Sequence, residues 1–278
     1  MDEAVRKIAQ CDLIADPGTA LYYGGIGMQT AGRICEIATS KPWAEIFWET
    51  LGDPLAMDST DYFGLGPTKN PNVAGAVRTF VDDYGNYLTM LLHRGRYKGK
   101  RVLSEMAVST MLSNQSGCLP ILRHAYDSLD VIDPALAKAP YGIGCWLEDF
   151  DPKTSQTTAI SSGGGFGCMP FLDLKRNVAG VLLPYNRKWK LDAKGRRYND
   201  AHRVYYEAKA IINEILDAGP QPQAGASPKT PNAADRQPDN AVEDRCEQVS
   251  RYRDLGQLER HVLRVPRHLG PDLKELLS

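Results

Sequence analysis

An α+β fold built on an antiparallel sheet is predicted for this chain by three observations. Helix-period apolar patterns dominate residues 1–112, four short strand-like apolar runs follow between 141 and 184, and one long amphipathic pattern over 200–217 comes after them. Helices first, an antiparallel sheet next and a covering helix last is an α+β order. At 278 residues the chain can bury one sizeable core or two small ones.

The first ten residues are an amphipathic start without the basic-then-apolar build of a signal peptide. Residues 17–27 run Pro-Gly-Thr-Ala-Leu-Tyr-Tyr-Gly-Gly-Ile-Gly and open into helical spacing at Met28, Ala31, Ile34, Cys35 and Ala38. Gly24 and Gly25 are expected to let the backbone bend at this helix entrance and aim Tyr23 into a cleft. Taken alone, the segment is better read as a Tyr ring packed under the helix. Trp43, Ile46, Phe47 and Leu51 repeat the helical spacing. Thr79 with Asp82 is a capping-box variant ahead of a stripe of Val81, Tyr84, Leu88, Leu91 and Leu92, and Gly95 stops that helix. Ser104 is expected to cap a shorter helix.

Beyond residue 140 the period changes. Strands are predicted over 141–148, 157–162, 167–174 and 178–184, and the turn Lys175-Arg176-Asn177 makes the last two a hairpin. Val204, Ala208, Ile211, Ile212, Ile215 and Leu216 are expected to form the buried face of the last helix, which Gly219-Pro220 ends. The folded domain is thus placed at 1–218. A Pro-, Ala-, Gln-, Asn- and Asp-rich stretch, 219–243, is predicted to be a disordered linker. Residues 244–278 form a charged tail with scattered leucines, predicted helical in pieces because Pro266 and Pro271 interrupt it.

Several function classes are excluded at this level. A net charge of −1 gives no basis for nucleic-acid or anionic-membrane binding. No apolar run approaches the roughly 20 residues of a membrane-spanning helix. The cysteines at 11, 35, 118, 145, 168 and 246 form no Cys-x-x-Cys pair and most are expected to be small core residues, and the histidines are scattered, so no metal site is predicted. Gly163-x-Gly165-x-Gly167 is followed by Met-Pro-Phe-Leu-Asp instead of a helix, which removes the dipole that a phosphate loop needs. By itself it fits a glycine bulge beside a strand. Thr30 stands where a dinucleotide fingerprint beginning at Gly25 would need its third glycine. Asp82-Asp83 fit a helix N-terminus, and Glu148, Asp149 and Asp151 fit a solvated turn at a strand end.

Read in order, Pro17-Gly18-Thr19…Tyr23, Asp53-Pro54-Leu55-Ala56-Met57, His93-Arg94-Gly95, Gly99-Lys100-Arg101-Val102-Leu103-Ser104, Tyr141-Gly142-Ile143-Gly144 and Ser162-Gly163-Gly164-Gly165-Phe166-Gly167 form a specific set. The chain resembles the serine β-lactamase and penicillin-binding protein superfamily, in its class C β-lactamase, D-alanyl-D-alanine carboxypeptidase and esterase branch, over about residues 3–217. The resemblance implies a partial β-lactamase/transpeptidase-like fold. It also implies acyl-serine chemistry on amide or ester carbonyls with no metal or organic cofactor.

That chemistry uses three constellations, and this chain departs from each. No lysine has a serine three residues before it, so the Ser-x-x-Lys pair is missing. The family carries that pair upstream of its tyrosine motif, so the chain is expected to start inside the domain, to lack hydrolase activity by itself and to pair with the missing N-terminal portion. In the Tyr-x-Asn motif Tyr23 matches the tyrosine, but Gly25 replaces the asparagine and removes an amide that would contact substrate. A lone Tyr, with a pKa near 10, needs neighbouring cations to act as a base. The Lys-Thr-Gly or His-x-Gly motif falls on Ser162-Gly163-Gly164, a hydroxyl replacing the cation, and the Gly165 N–H becomes the implied oxyanion donor. Tyr23 and Gly165 are thus the candidate catalytic positions, and Gly25, Ser162, Gly163 and Gly164 the candidate substrate-binding positions. The implied partner is a small molecule or peptide bearing a carbonyl group, and the implied compartment is periplasmic or extracellular. The alternative expectation is a non-catalytic ligand-binding or interaction module on the same fold.

Overall fold

The computed structural model describes residues 1–126, 135–195 and 197–219. The linker and tail expected over 219–243 and 244–278 lie, apart from Gly219, outside the described residues. In chain order the elements are α1 (Asp2–Ile8), β1 (Leu21–Tyr22), α2 (Gly25–Thr39), α3 (Trp43–Phe47), α4 (Val81–Leu92), β2 (Arg96–Tyr97), β3 (Lys100–Arg101) and α5 (Glu105–Met111). Then come β4 (Ile121–Arg123), β5 (Trp146–Asp151), β6 (Gln156–Ser161), β7 (Met169–Asp173), β8 (Val178–Leu182), β9 (Lys190–Leu191), β10 (Arg197–Tyr198) and α6 (Asp200–Ala218). No helix among them is long and apolar enough to cross a membrane.

The predicted α+β class holds. Its centre is an antiparallel sheet in the order β5-β6-β7-β8. Register places Leu147, Ile160, Leu172 and Ala179 in one row, and Trp146, Ser161, Phe171 and Gly180 in the next. Successive residues face opposite sides of a sheet, so these rows serve two different cores. The first row joins Leu88, Met90 and Leu91 of α4, with Phe47, Leu55 and Met57 beyond. The second row joins Tyr126 and Tyr205, so α6 covers the opposite face from α4. Apart from Ser161 neither row carries a polar side chain, and both faces are covered, which is why β7 is buried at every position.

Local signals explain much of the rest. Ser104 caps α5 through the Ala107 N–H at 3.0 Å. The β7–β8 hairpin turns at Asn177, in left-handed conformation. Its neighbour Arg176 pairs with buried Asp173 at 2.7 Å and with Asp217 at the end of α6. Gly219, also left-handed, stops α6.

Several expectations are corrected. Phe80, not Thr79, is the N-cap of α4; the Thr79 hydroxyl bonds that of Thr60, and Asp83 turns inward to accept from Ser59 N–H and the Thr60 hydroxyl. The first strand of the sheet starts at Trp146, because Gly144 is left-handed and breaks the extended run after Tyr141. Gly32, against Val73, is the buried residue of α2, while Ile34, Cys35 and Ala38 face outward. On α6 the buried residues are Ala201, His202, Tyr205 and Lys209, and Val204, Ile212, Ile215 and Leu216 are exposed. Periodicity located each apolar stripe; a different face packs on the sheet because the aromatic cluster there is matched by tyrosines and a lysine stem. Cys145 is buried and Cys168 half-buried, but Cys11, Cys35 and Cys118 are exposed, and Cys246 lies outside the described residues.

Gly180 tests the second core. A Cβ there would lie 2.3 Å from Cε1 of the Phe171 ring. Gly180→Ala is expected to cost about 1–3 kcal/mol through overpacking, read from the urea midpoint. A wild-type midpoint would show that the ring has room to move.

Candidate functional site

Tyr23 sits between β1 and α2. β1 pairs in parallel with β4, and the Tyr23 N–H donates to Arg123 O at 3.1 Å, which fixes the residue just before the helix. The expected glycine-enabled bend is not what places it. Gly24 is fully extended, with φ at −177°, a conformation open to any residue. Gly25 matters through space, since a Cβ there would meet Ala74 Cβ at 3.0 Å. The Tyr23 ring lies against Trp146 at 5.2 Å and edge-on to Tyr141 at 5.7 Å. Among the described residues its hydroxyl has no hydrogen-bond partner. Burial raises its pKa and Arg123 opposes only part of that, so the phenol stays protonated near neutrality.

The glycine segment leaves β6 at Ser161. Ser162 N–H donates to Pro170 O at 3.4 Å, and a tight turn follows: Gly164 N–H donates to Cys168 O at 2.7 Å and Gly167 N–H to Gly164 O at 2.9 Å. Gly167 is left-handed and a Cβ there would strike Ala201, so this corner requires glycine. Gly165 is exposed at the tip, and among the described residues its N–H has no partner. Tyr23 and the glycine segment meet the same aromatic cluster. Tyr126 and Trp146 lie in it with Tyr23 packed on its edge, and Gly163 N–H donates to Tyr126 Oη at 2.6 Å.

Four residues that the sequence reading did not single out hold this segment. Asn199, with no exposed surface, caps α6 through Ala201 N–H; its Nδ2 donates to Asn186 O at 2.8 Å and reaches Gly165 O at 3.5 Å. His202 Nε2 lies 3.0 Å from Gly164 O and donates to it. Tyr126 is fully buried. His124 stacks on Trp146 with ring centroids 3.5 Å apart; its Nδ1 accepts from Tyr126 N–H and its Nε2 donates to Ala139 O, which sets the tautomer. A helix-start asparagine and a histidine one position inside the first turn were the available signal for Asn199 and His202. Nothing local marks Tyr126.

Glu148 corrects another expectation. It is 4 % exposed, not part of a solvated turn. Its carboxylate takes the Lys209 ammonium on one oxygen and the Tyr206 hydroxyl on the other, the latter at 2.7 Å. A cavity of about 90 Å³ lies on the far side of β6, between Tyr84 and Tyr87 of α4, Cys145 and Ser162. Of the predicted site residues only Ser162 lines it. Burial pushes the Cys145 thiol beside it up to about 12, so no thiolate is present there.

A protein-family comparison matches the Beta-lactamase family over residues 1–204. Among solved structures, a protein from Bacteroides dorei described provisionally as a beta-lactamase is 28 % identical with a TM-score of 0.66, over 78 % of this chain and 64 % of its own. A beta-lactamase from Mycobacterium bovis is 18 % identical (TM-score 0.54; 74 % and 68 %). Simvastatin synthase from Aspergillus terreus is 17 % identical (TM-score 0.53; 77 % and 61 %). The last two likenesses speak to fold alone. The chain spans less than two thirds of the length of the Bacteroides protein. No curated protein matches the sequence significantly.

The His202 environment predicts a pH effect. Burial lowers its pKa below the ordinary 6.5, the Gly164 carbonyl opposing only in part. As pH falls through about 6.5 the unfolded chain binds the proton first, so stability drops there and levels off once the folded imidazole also titrates. Above that pH the cost is absent. His202→Gln is expected to flatten the fall in urea midpoint between pH 7 and pH 5; an unchanged slope would refute the assignment.

Proposed function

This chain belongs to the Beta-lactamase family, and on that premise we propose that it forms the tyrosine- and glycine-lined wall of a serine hydrolase cleft. The complete site would hold a small molecule or peptide through a carbonyl group. Tyr23 would face the bound group as a neutral phenol donor, Gly165 N–H would polarise the carbonyl oxygen, and Ser162 to Gly164 would let the ligand approach the backbone closely. Gly25 leaves that edge without a side-chain amide.

The observation that carries this reading is the shared position of Tyr23 and the glycine segment on one aromatic cluster, together with an exposed Gly165 N–H that has no partner among the described residues. A neutral Tyr23 is a poor base, and no lysine here follows a serine at the Ser-x-x-Lys spacing. The chain as given therefore forms no acyl-serine intermediate by the family's route.

The nucleophile pair would come from a further polypeptide of the same family domain. Two features support this partner. β8 ends the sheet with its outer edge unpaired among the described residues, and an unpaired edge invites another strand. The outward faces of α2 and α6 carry Ile26, Ile34, Ile37, Ile212 and Ile215, each from 38 % to 64 % exposed.

A fluorescent penicillin or fluorophosphonate is expected to leave the purified chain unlabelled. Co-expression with a family segment that carries Ser-x-x-Lys is expected to restore labelling, and Tyr23→Phe to reduce it by up to about tenfold, the scale of one lost hydrogen bond. Specific covalent labelling of the chain by itself would overturn the proposal.

A further inference from the structure

We propose that Trp189 is the specificity-determining wall of the ligand edge, its indole packing a flat apolar group attached beside the carbonyl that Gly165 would receive. This rests on reading residues 162–165 as a ligand-binding edge, and adds the class of ligand that the edge takes: an amide or ester with an aryl group on its carbonyl side.

The loop between β8 and β9 brings the ring there. Asn186 N–H donates to Phe166 O at 2.9 Å, which ties the loop to the glycine turn. Asn186 Nδ2 donates to Asn199 Oδ1 at 2.9 Å, and Asn199 Nδ2 returns a bond to Asn186 O at 2.8 Å. Asn186 Oδ1 also accepts from Lys188 N–H at 2.9 Å, an Asx turn that carries the chain on to Trp189. Immediately after Trp189, β9 pairs antiparallel with β10. Trp189 is therefore held between two backbone anchors. A loop ordered in this way loses little further freedom when a ligand arrives.

The ring borders the edge itself. Cζ2 of Trp189 lies 3.9 Å from the position that a Cβ on Gly165 would take, an ordinary packing distance. Among the described residues, and apart from the two chain neighbours of Gly165, no other residue comes within 4 Å of that point. The indole stands edge-on to His202, at 6.5 Å and 88°, and His202 holds the Gly164 carbonyl. Trp189 keeps 37 % of its surface exposed. Phe166, the other aromatic side chain next to Gly165, is already engaged. It has the Tyr185 ring at 5.3 Å and the Arg187 guanidinium over its face at 6.0 Å. Trp189 is thus the aromatic group that borders Gly165 and still offers surface to a ligand.

The ligand class follows from reach and shape. A carbonyl oxygen accepting from Gly165 N–H sits about 2.9 Å from that nitrogen. A group bonded to the carbonyl carbon, directly or through one further atom, then reaches the indole. A flat ring packs on an indole offset or edge-on, which is worth about tenfold in affinity. A methyl group in the same place makes only a small contact.

The test titrates the full ¹⁵N-labelled chain with benzamide and with acetamide, which share the amide carbonyl and differ in the ring. The Gly165 amide and the Trp189 indole N–H are followed, the latter assigned by its disappearance in Trp189→Phe. Benzamide is expected to shift both signals and to bind about tenfold more tightly than acetamide. Trp189→Ala is expected to make the two compounds equal at the Gly165 amide, and Trp189→Phe to keep part of the preference. Equal affinities in the unsubstituted chain with an unmoved indole, or a preference that survives Trp189→Ala, would overturn this inference and leave the carbonyl edge standing. A shift of the indole alone would count against the carbonyl edge and in favour of Trp189 as an aryl contact. Silence of both signals with both compounds would overturn the two together.

Discussion

The buried pair of Glu148 and Lys209 is the constraint on which the rest of this half of the molecule depends. A lysine and a glutamate removed from water are tolerated only when each satisfies the other and the remaining lone pairs find donors. Tyr206 supplies that donor. Breaking such a pair by removing one partner typically costs about 3–5 kcal/mol, because the other charge is left stranded. The pair therefore holds α6 in one register on the second face of the sheet. With α6 in that register, Asn199 and His202 at its start come to rest against the carbonyls of Gly165 and Gly164.

The glycine turn is thus gripped from two directions. Tyr126 holds its beginning from inside the aromatic cluster, and the first turn of α6 holds its tip from outside. Gly167 closes the corner against Ala201. Among the described residues the Gly165 N–H and the Tyr23 hydroxyl stay unengaged. On the proposed reading they serve as preorganised donors, which cost nothing further to orient when a ligand arrives.

The family relationship and the site residues pull in different directions. The fold is that of beta-lactamase relatives, yet on the proposed reading Ser162 stands where the third motif would carry a cation and Gly25 where the second would carry an amide. A lysine does stand close behind the glycine strand, but it is Lys209, buried on the other side of Glu148 and committed to it. Its charge is neutralised within the core by Glu148. The exposed stripes of α2 and α6 belong to the same account. Among the described residues nothing covers them.

Much of this was legible in the sequence because it is governed by neighbours a few residues apart. Period-2 and period-3.6 patterns located the four strands and α6, Ser104 announced its cap, and Asn177 its hairpin. The ordered motifs around Tyr23 and Ser162 to Gly167 identified the family. The choice of which helical face packs was not legible, since both α2 and α6 carry an apolar stripe and their partners, Val73 for α2 and the aromatic cluster on the sheet for α6, take a different side. Nor was the inward turn of Glu148 or the role of Tyr126. Glu148 is 61 residues from Lys209 and Tyr126 is 37 from Gly163. A charge or a phenol gains its partner only when distant segments are brought together and water is excluded. The sequence by itself determined the elements and the kinship; tertiary packing decided which groups are buried, paired or left open, because desolvation and hydrogen bonding depend on neighbours in space.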